Sequence, residues 1–307
     1  MTTPLTGQPA VDQLIGLLDL EELDLTLFRG RSPELSPRRV FGGQVAGQAL
    51  VAAGRTVPTD RLVHSLHAYF IRPGDPSRPI LYLVEKVRDG RSFTTRRVVA
   101  QQEGKPIFFM SASFQIAEEG LDHQEPMPLD VPGPDELPTM AERLAADADR
   151  AGIWARIAYP VDVRHLGEPG WTRQGNRPAE IHPRAWMRVD GKLSDDPLLH
   201  ACALTYASDI TLLDAVLSVH GEVWGPGGFA GASLDHAIWF HRPFRADEWI
   251  LSDCASPSAS GGRGLATGRF FDAEGRLLAT AVQEGLLRRV PEGTSVELSR
   301  ARARPQS

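Results

Sequence analysis

The sequence predicts an α+β chain made of two tandem copies of one unit, each an antiparallel sheet wrapped round a long buried helix. Three observations carry that expectation: a repeat with a period near 170 residues, an Ala/Val/Leu-rich helical stretch opening each copy, and four short β-rich stretches after each helix. The repeat is plainest where Tyr69-Phe70-Ile71-Arg72-Pro73 lines up with Trp239-Phe240-His241-Arg242-Pro243, 170 positions on. The same offset sets Ile80-Leu81 on Ile250-Leu251. Glu103-Gly104 falls on Glu274-Gly275 at 171, and Gly90-Arg91 with Arg97 falls on Gly262-Arg263 with Arg269 at 172. Small insertions account for the drift, and a period this long marks a duplicated domain rather than a solenoid. One chain should then resemble a dimer of half-chains.

The elements follow in order. Residues 43–53 place Val45, Ala46, Ala49, Leu50 and Ala53 at helical spacing, with no charge between Gly42 and Gly54. A helix apolar all round must be buried on all sides. Its counterpart is read at 209–219, where Leu212, Leu213, Val216 and Leu217 repeat the spacing. Strands are expected at 63–71, 80–87, 93–101 and 107–115, and again at 233–241, 249–254, 265–271 and 277–287, from β-branched and aromatic runs between turn signals. Residues 154–163 and 185–189 read as an extra strand pair opening the second copy. An antiparallel sheet curled round one helix, twice over, is a double hot-dog.

Between the copies, Pro126, Pro128, Pro132, Pro134 and Pro138 crowd into a stretch rich in acidic residues, which reads as an extended linker of polyproline II type. A short helix is expected to begin near Met140. The expected division is therefore a first repeat at 10–117, a linker at 118–150, a second repeat at 151–290 and a flexible tail at 291–307.

Composition narrows the function. With 33 Lys and Arg against 39 Asp and Glu, the net charge is −6 and the pI about 5.9, a field that repels nucleic acid and anionic membrane. An anionic ligand needs a local basic patch. Cys202 and Cys254 have no metal-like spacing, and no N-terminal segment joins a basic start to an apolar run. A cytoplasmic location is the expectation. The uncharged stretch from Gly42 to Gly54 falls well short of the ~20 residues that a membrane span requires.

Several groups could carry chemistry. Ser208-Asp209 at the start of the helix read at 209–219 offers a carboxylate where free N–H groups favour an anion; it could be a simple cap, or a base that deprotonates water. Gly231-Ala232-Ser233-Leu234-Asp235-His236 lacks the second glycine of a nucleophile elbow and precedes a strand, so a hydroxyl that positions water fits better than a covalent serine. His64 with His67, and His236 with His241, stand at odd separations on strands, where one metal ion cannot easily be shared. Asp195-Asp196-Pro197-Leu198-Leu199-His200 faintly resembles an Asp/His hydratase signature, with its proline displaced and the asparagine missing. Gln283 is a polar amide in the otherwise apolar run of the last strand and needs partners if buried. Arg91, Arg96, Arg97, Arg263 and Arg269 form matching basic stripes, suited to phosphates or to a solvated face.

Taken together, these residues resemble the acyl-CoA thioesterase II family, the TesB-type double hot-dog enzymes. The resemblance runs from about Leu14 to Arg288. It rests on Leu27-Phe28-Arg29-Gly30, on Val40-Phe41-Gly42-Gly43-Gln44-Val45-Ala46-Gly47-Gln48-Ala49-Leu50, on His64-Ser65-Leu66-His67-Ala68-Tyr69-Phe70 and on Gly90-Arg91-Ser92-Phe93. In the second copy it rests on Tyr206-Ala207-Ser208-Asp209, on Leu234-Asp235-His236-Ala237-Ile238-Trp239-Phe240-His241-Arg242 and on Gln283-Glu284-Gly285. It implies an acid, a hydroxyl and an amide that hold a nucleophilic water, falling here on Asp209, Ser233 and Gln283. Ser233 keeps the hydroxyl where many relatives have threonine. Gly42, Gly43 and Gln44 open the first helix without an acid or base, so one site per chain is expected. With Arg91 and Arg263, these three are the expected substrate contacts. The implied reaction is direct hydrolysis of acyl-CoA, with no metal and no cofactor beyond the CoA of the substrate, in a homo-oligomer. A hot-dog hydratase or dehydratase, and a non-catalytic acyl-CoA sensor, are the alternatives.

Overall fold

A computed structural model describes residues 5–33, 39–146, 159–170 and 180–294. The first copy supplies β1 (Glu21–Asp24), β2 (Leu27–Gly30), β3 (Arg61–Phe70), β4 (Ile80–Asp89), β5 (Phe93–Gln102) and β6 (Lys105–Ile116). The second supplies β7 (Val161–His165), β8 (Arg184–Val189), β9 (Phe229–Ser233), β10 (Asp235–Phe240), β11 (Ile250–Ser260), β12 (Arg263–Asp272) and β13 (Leu277–Arg289). All pair antiparallel in the order β1-β2-β4-β5-β6-β3-β10-β13-β12-β11-β8-β7, with β9 also on β13. Read inward from either edge, the order is the same, so each copy builds half of the sheet. This is the double hot-dog the repeat predicts.

The halves meet through equivalent strands. Asp235 pairs with Tyr69, Ala237 with His67 and Trp239 with Ser65. Applying the repeat offset exchanges the first and last pairs and returns the middle one to itself, so a pseudo-two-fold axis passes between His67 and Ala237. Even the irregularities repeat: β3 slips register between Val63 and Ser65, and β9 gives way to β10 at the equivalent Leu234. Arg72 donates to the Pro106 carbonyl and Arg242 to the Leu277 carbonyl, so the two Arg-Pro arginines pin equivalent strand ends.

The extra strand pair of the second copy is β7 with β8, residues 154–158 lying outside the described ones. The first copy has the matching pair β1 and β2, which alternation does not reveal because all four β1 side chains are exposed. Helix α1 (Gln8–Leu18) packs ahead of them. Helix α2 (Gly42–Gly54) is buried from Gly43 to Ala53.

The second-copy helix departs from expectation. Instead of one helix at 209–219, the chain forms α4 (Pro197–Ser208), a turn through 209–213, and the short α5 (Asp214–Val219); α3 (Met140–Ala146) lies between the copies. The Asp-Pro pair explains the shift: Asp196 accepts from the Leu198 N–H and Pro197 sits in the first turn, a standard helix start. Helices α2 and α4 run antiparallel, Gly43 against Tyr206, Gly47 against Cys202 and Gly54 against Leu198. Asp209 is therefore the C-cap of α4 and not an N-cap.

The proline-rich linker is extended but not free. Trp186 donates its indole N–H to Pro132, Gln124 bonds to both Leu277 and Gly275, and Arg269 pairs with Glu125. Met127, Val131 and Leu137 cover the second half's outer face at Trp186, Leu251 and Phe271. Of the tail expected at 291–307, residues 295–307 lie outside the described ones.

Candidate active site

The last turn of α4, the end of β9, the middle of β13 and the start of α2 converge on one carboxylate. Alternation along β13 turns Gln283 inward with Ala281 and Gly285, and its side chain is fully buried. Ser233 ends β9 directly opposite Gly285. The turn that follows Asp209 is seated by Leu212 against Gly268 and Leu213 against Gly285. A Cβ on Gly285 would stand 2.6 Å from the Leu213 methyls, so glycine there lets the turn lie flat on the sheet.

Asp209 Oδ1 accepts from the Ser233 hydroxyl at 3.0 Å and from the Gln283 amide at 2.5 Å, and that amide also donates to Ser233 Oγ at 2.8 Å. Asp209 Oδ2 accepts from the Gly43 N–H at 2.8 Å. No side chain caps α2, so an acid from the other half of the chain satisfies one of its first-turn amides. The approach depends on the two glycines: a Cβ on Gly42 would lie 2.7 Å from Asp209 Oδ2, and one on Gly43 would lie 2.4 Å from the Tyr206 carbonyl oxygen. Burial pushes the Asp209 carboxyl up to about 6, against the hydrogen bonds from Gln283, Ser233 and Gly43, which hold it down. Such a group is a carboxylate near neutrality and a better base than an exposed aspartate. Gln283 Oε1 is buried and has no partner among the described residues.

The three residues expected from sequence thus come together with Gly42 and Gly43, while the other expected contacts do not. Gln44 turns its amide to Arg31 and Ser32, holding the segment ahead of α2. Arg91 is exposed at the end of β3 that begins at Arg61, whereas Gly42 touches Phe70 at the other end of that ten-residue strand, roughly 30 Å away. Arg263 pairs with Glu284 on the face of the sheet opposite Gln283. Arg96, nearly fully buried, binds Thr56 and Asp89, and Arg269 is tied to Asp253 and Glu125. Arg96 and Arg269 thus serve the packing of neighbouring strands. The hydratase-like pair is likewise structural: Asp196 caps α4 and His200 Nδ1 accepts from the Ala246 N–H. His64 bonds to Ser113, and among the described residues no group of three His, Cys, Asp or Glu could hold a metal ion.

Strand register also locates the other half of the duplication. The first-half position of Ser233, opposite Gly285, is Val63, opposite Phe114; that of Gln283 is Ala112. Neither carries a polar side chain.

Sequence reasoning weighed His236 for metal and beside Ser233 but missed its tie to Ser208. His236 is fully buried beside the site and bonds through Nε2 to Ser208 Oγ at 2.9 Å. The signal was its position: the repeat places Leu66, a core residue, at the same point of β3.

Comparison with known proteins gives the family. Residues 31–115 match the model of an acyl-CoA thioesterase N-terminal domain, and residues 134–287 that of an acyl-CoA thioesterase C-terminal domain. The chain is 41% identical to acyl-coenzyme A thioesterase 8 of Homo sapiens, over 92% of this chain and 91% of that one. It is 40% identical to acyl-CoA thioesterase 2 of Haemophilus influenzae, over 91% and 98%. Among solved structures, an acyl-CoA thioesterase II TesB2 from Mycobacterium marinum superposes with a TM-score of 0.72 at 42% identity, covering 92% of this chain and 99% of that one. With both domains matched in order and such identity over nine-tenths of its length, the chain belongs to the acyl-CoA thioesterase family of thioester hydrolases.

Proposed function

We propose that the protein hydrolyses acyl-CoA to a free fatty acid and CoA by direct attack of water, with Asp209 as the base. The observation that supports this best is the one carboxylate on which Ser233, Gln283 and the first turn of α2 converge. In this reading a water rests against the Asp209 carboxylate and donates one hydrogen bond to Gln283 Oε1, which is otherwise unpartnered among the described residues. Ser233 and Gln283 fix the carboxylate and the water against the thioester carbonyl carbon. Asp209 takes a proton as the water oxygen bonds to that carbon. First-turn amides of α2, which have no carbonyl four residues back, meet the developing oxyanion. Collapse breaks the carbon–sulfur bond, and the proton on Asp209 leaves with the CoA thiolate.

No acyl-enzyme forms, and no cofactor is needed beyond the CoA of the substrate. Cys202 and Cys254 are both buried free thiols, in keeping with a reducing cytoplasm. Among the described residues no helix is long and apolar enough to cross a membrane.

The test is to incubate the protein with acyl-CoA esters of short, medium and long chain and to measure thiol and free acid together. Equal release of the two is expected. A hydrated or dehydrated CoA ester without free thiol would overturn the reading in favour of a hydratase, and binding without any product would make the protein a sensor.

A further inference from the structure

Resting on the reading of Asp209 as the base, we infer that His236 is a positioning residue, which holds the end of α4 so that the Asp209 carboxylate faces Gly43, Ser233 and Gln283. The chain of contacts is short. Ser208 Oγ donates to the Thr205 carbonyl at 3.1 Å, so its one proton is committed and it accepts from His236 Nε2–H. Ser208 is itself fully buried and directly precedes Asp209. The imidazole thereby ties β10 of the sheet to the last turn of α4, the turn whose C-cap is the base.

A histidine is costly at this place. The equivalent Leu66 is an ordinary core residue, and the tautomer that serves Ser208 leaves His236 Nδ1 buried with no partner among the described residues. An unpaired buried acceptor destabilises a fold, so a leucine here would pack better. The hydrogen bond to Ser208 is what the imidazole provides and leucine does not. Burial also pulls its pKa down to about 4, which keeps it neutral and a single Nε2 donor across the range in which Asp209 is a carboxylate. In the first half, where α2 ends at Gly54 without an acid, the tie has no counterpart.

The test is a double-mutant cycle with His236→Leu, Ser208→Ala and the pair, with His236→Gln as the variant that can still donate. Steady-state hydrolysis of an acyl-CoA by wild type comes first, together with Asp209→Asn. His236→Leu is expected to lower kcat by about 10- to 100-fold, the scale of a small misplacement of a reacting group, with KM nearly unchanged. Ser208→Ala should do the same, the pair should be no worse than either alone, and His236→Gln should recover most of the loss. Losses that multiply in the pair, or a His236→Leu protein that keeps wild-type kcat, would overturn the inference. If Asp209→Asn keeps wild-type kcat, the base assignment fails instead, which separates the two outcomes. A His236→Leu chain that does not fold leaves Ser208→Ala against His236→Gln to decide: full activity in Ser208→Ala would overturn the inference.

Discussion

Asp209 Oδ2 accepts a hydrogen bond from the Gly43 N–H at 2.8 Å across 166 residues of sequence, so the candidate site is built from both copies. The acid comes from the end of the second-copy helix α4, and the amide from the start of the first-copy helix α2. Antiparallel packing of equivalent helices brings these ends together. At the other end of the pair, Gly54 meets Leu198 and the equivalent strand positions are Val63 and Ala112.

The pH dependence follows from the Asp209 carboxyl, raised to about 6 by burial. A base must be deprotonated, so kcat should climb about tenfold per pH unit below 6 and level off above it. Thiol release at saturating acyl-CoA between pH 4 and 9 measures this. An acid limb centred near 4 would show that the carboxyl is not buried in the working enzyme.

Gly42 and Gly43 should separate activity from stability. Gly42→Ala places a methyl against the flexible Asp209 side chain and the Phe70 ring, so it should cut kcat by about tenfold or more. Its melting temperature should move little. Gly43→Ala drives a methyl into the Tyr206 backbone carbonyl, which cannot swing aside, and should destabilise the protein by about 1–3 kcal/mol. Kinetics and thermal unfolding of both variants make the comparison.

Ser233→Ala should reduce kcat by about tenfold, the worth of one hydrogen bond to a charged group, since Gln283 still holds the same oxygen. Gln283→Ala should cost more, because that amide bonds to both Asp209 and Ser233. Ser233→Thr keeps the hydroxyl and should retain activity.

Arg263→Ala should leave kcat/KM within about twofold and stability within about 1 kcal/mol, because the Arg263–Glu284 pair is half exposed on the face away from Gln283. A large rise in KM would place the CoA phosphates there after all.

The duplication was legible as a repeat near 170 residues, the strands through alternation and turn residues, and the three side chains that meet at Asp209 through short motifs. The departures came from tertiary context. The second-copy helix starts at Asp196-Pro197 and not at Asp209, because an Asp N-cap followed by proline in the first turn is a stronger helix start than the apolar spacing at 209–219. β1 showed no alternation to read. The arginine stripes looked like phosphate ligands, yet Arg96 and Arg269 find their acids 7 and 16 residues away in sequence, on neighbouring strands. The tie from His236 to Ser208 is not legible in sequence, because a histidine on a strand shows its partner only once α4 is packed above it.

The most direct test of the account is thiol release from acyl-CoA by Asp209→Asn beside the wild type, with acyl-CoA binding measured on both. A fall of at least ~100-fold in kcat with binding retained is the expected result, the low end for loss of a general base. An Asp209→Asn protein that keeps a tenth or more of wild-type kcat would contradict the account, since the carboxylate on which four elements converge would not be the base.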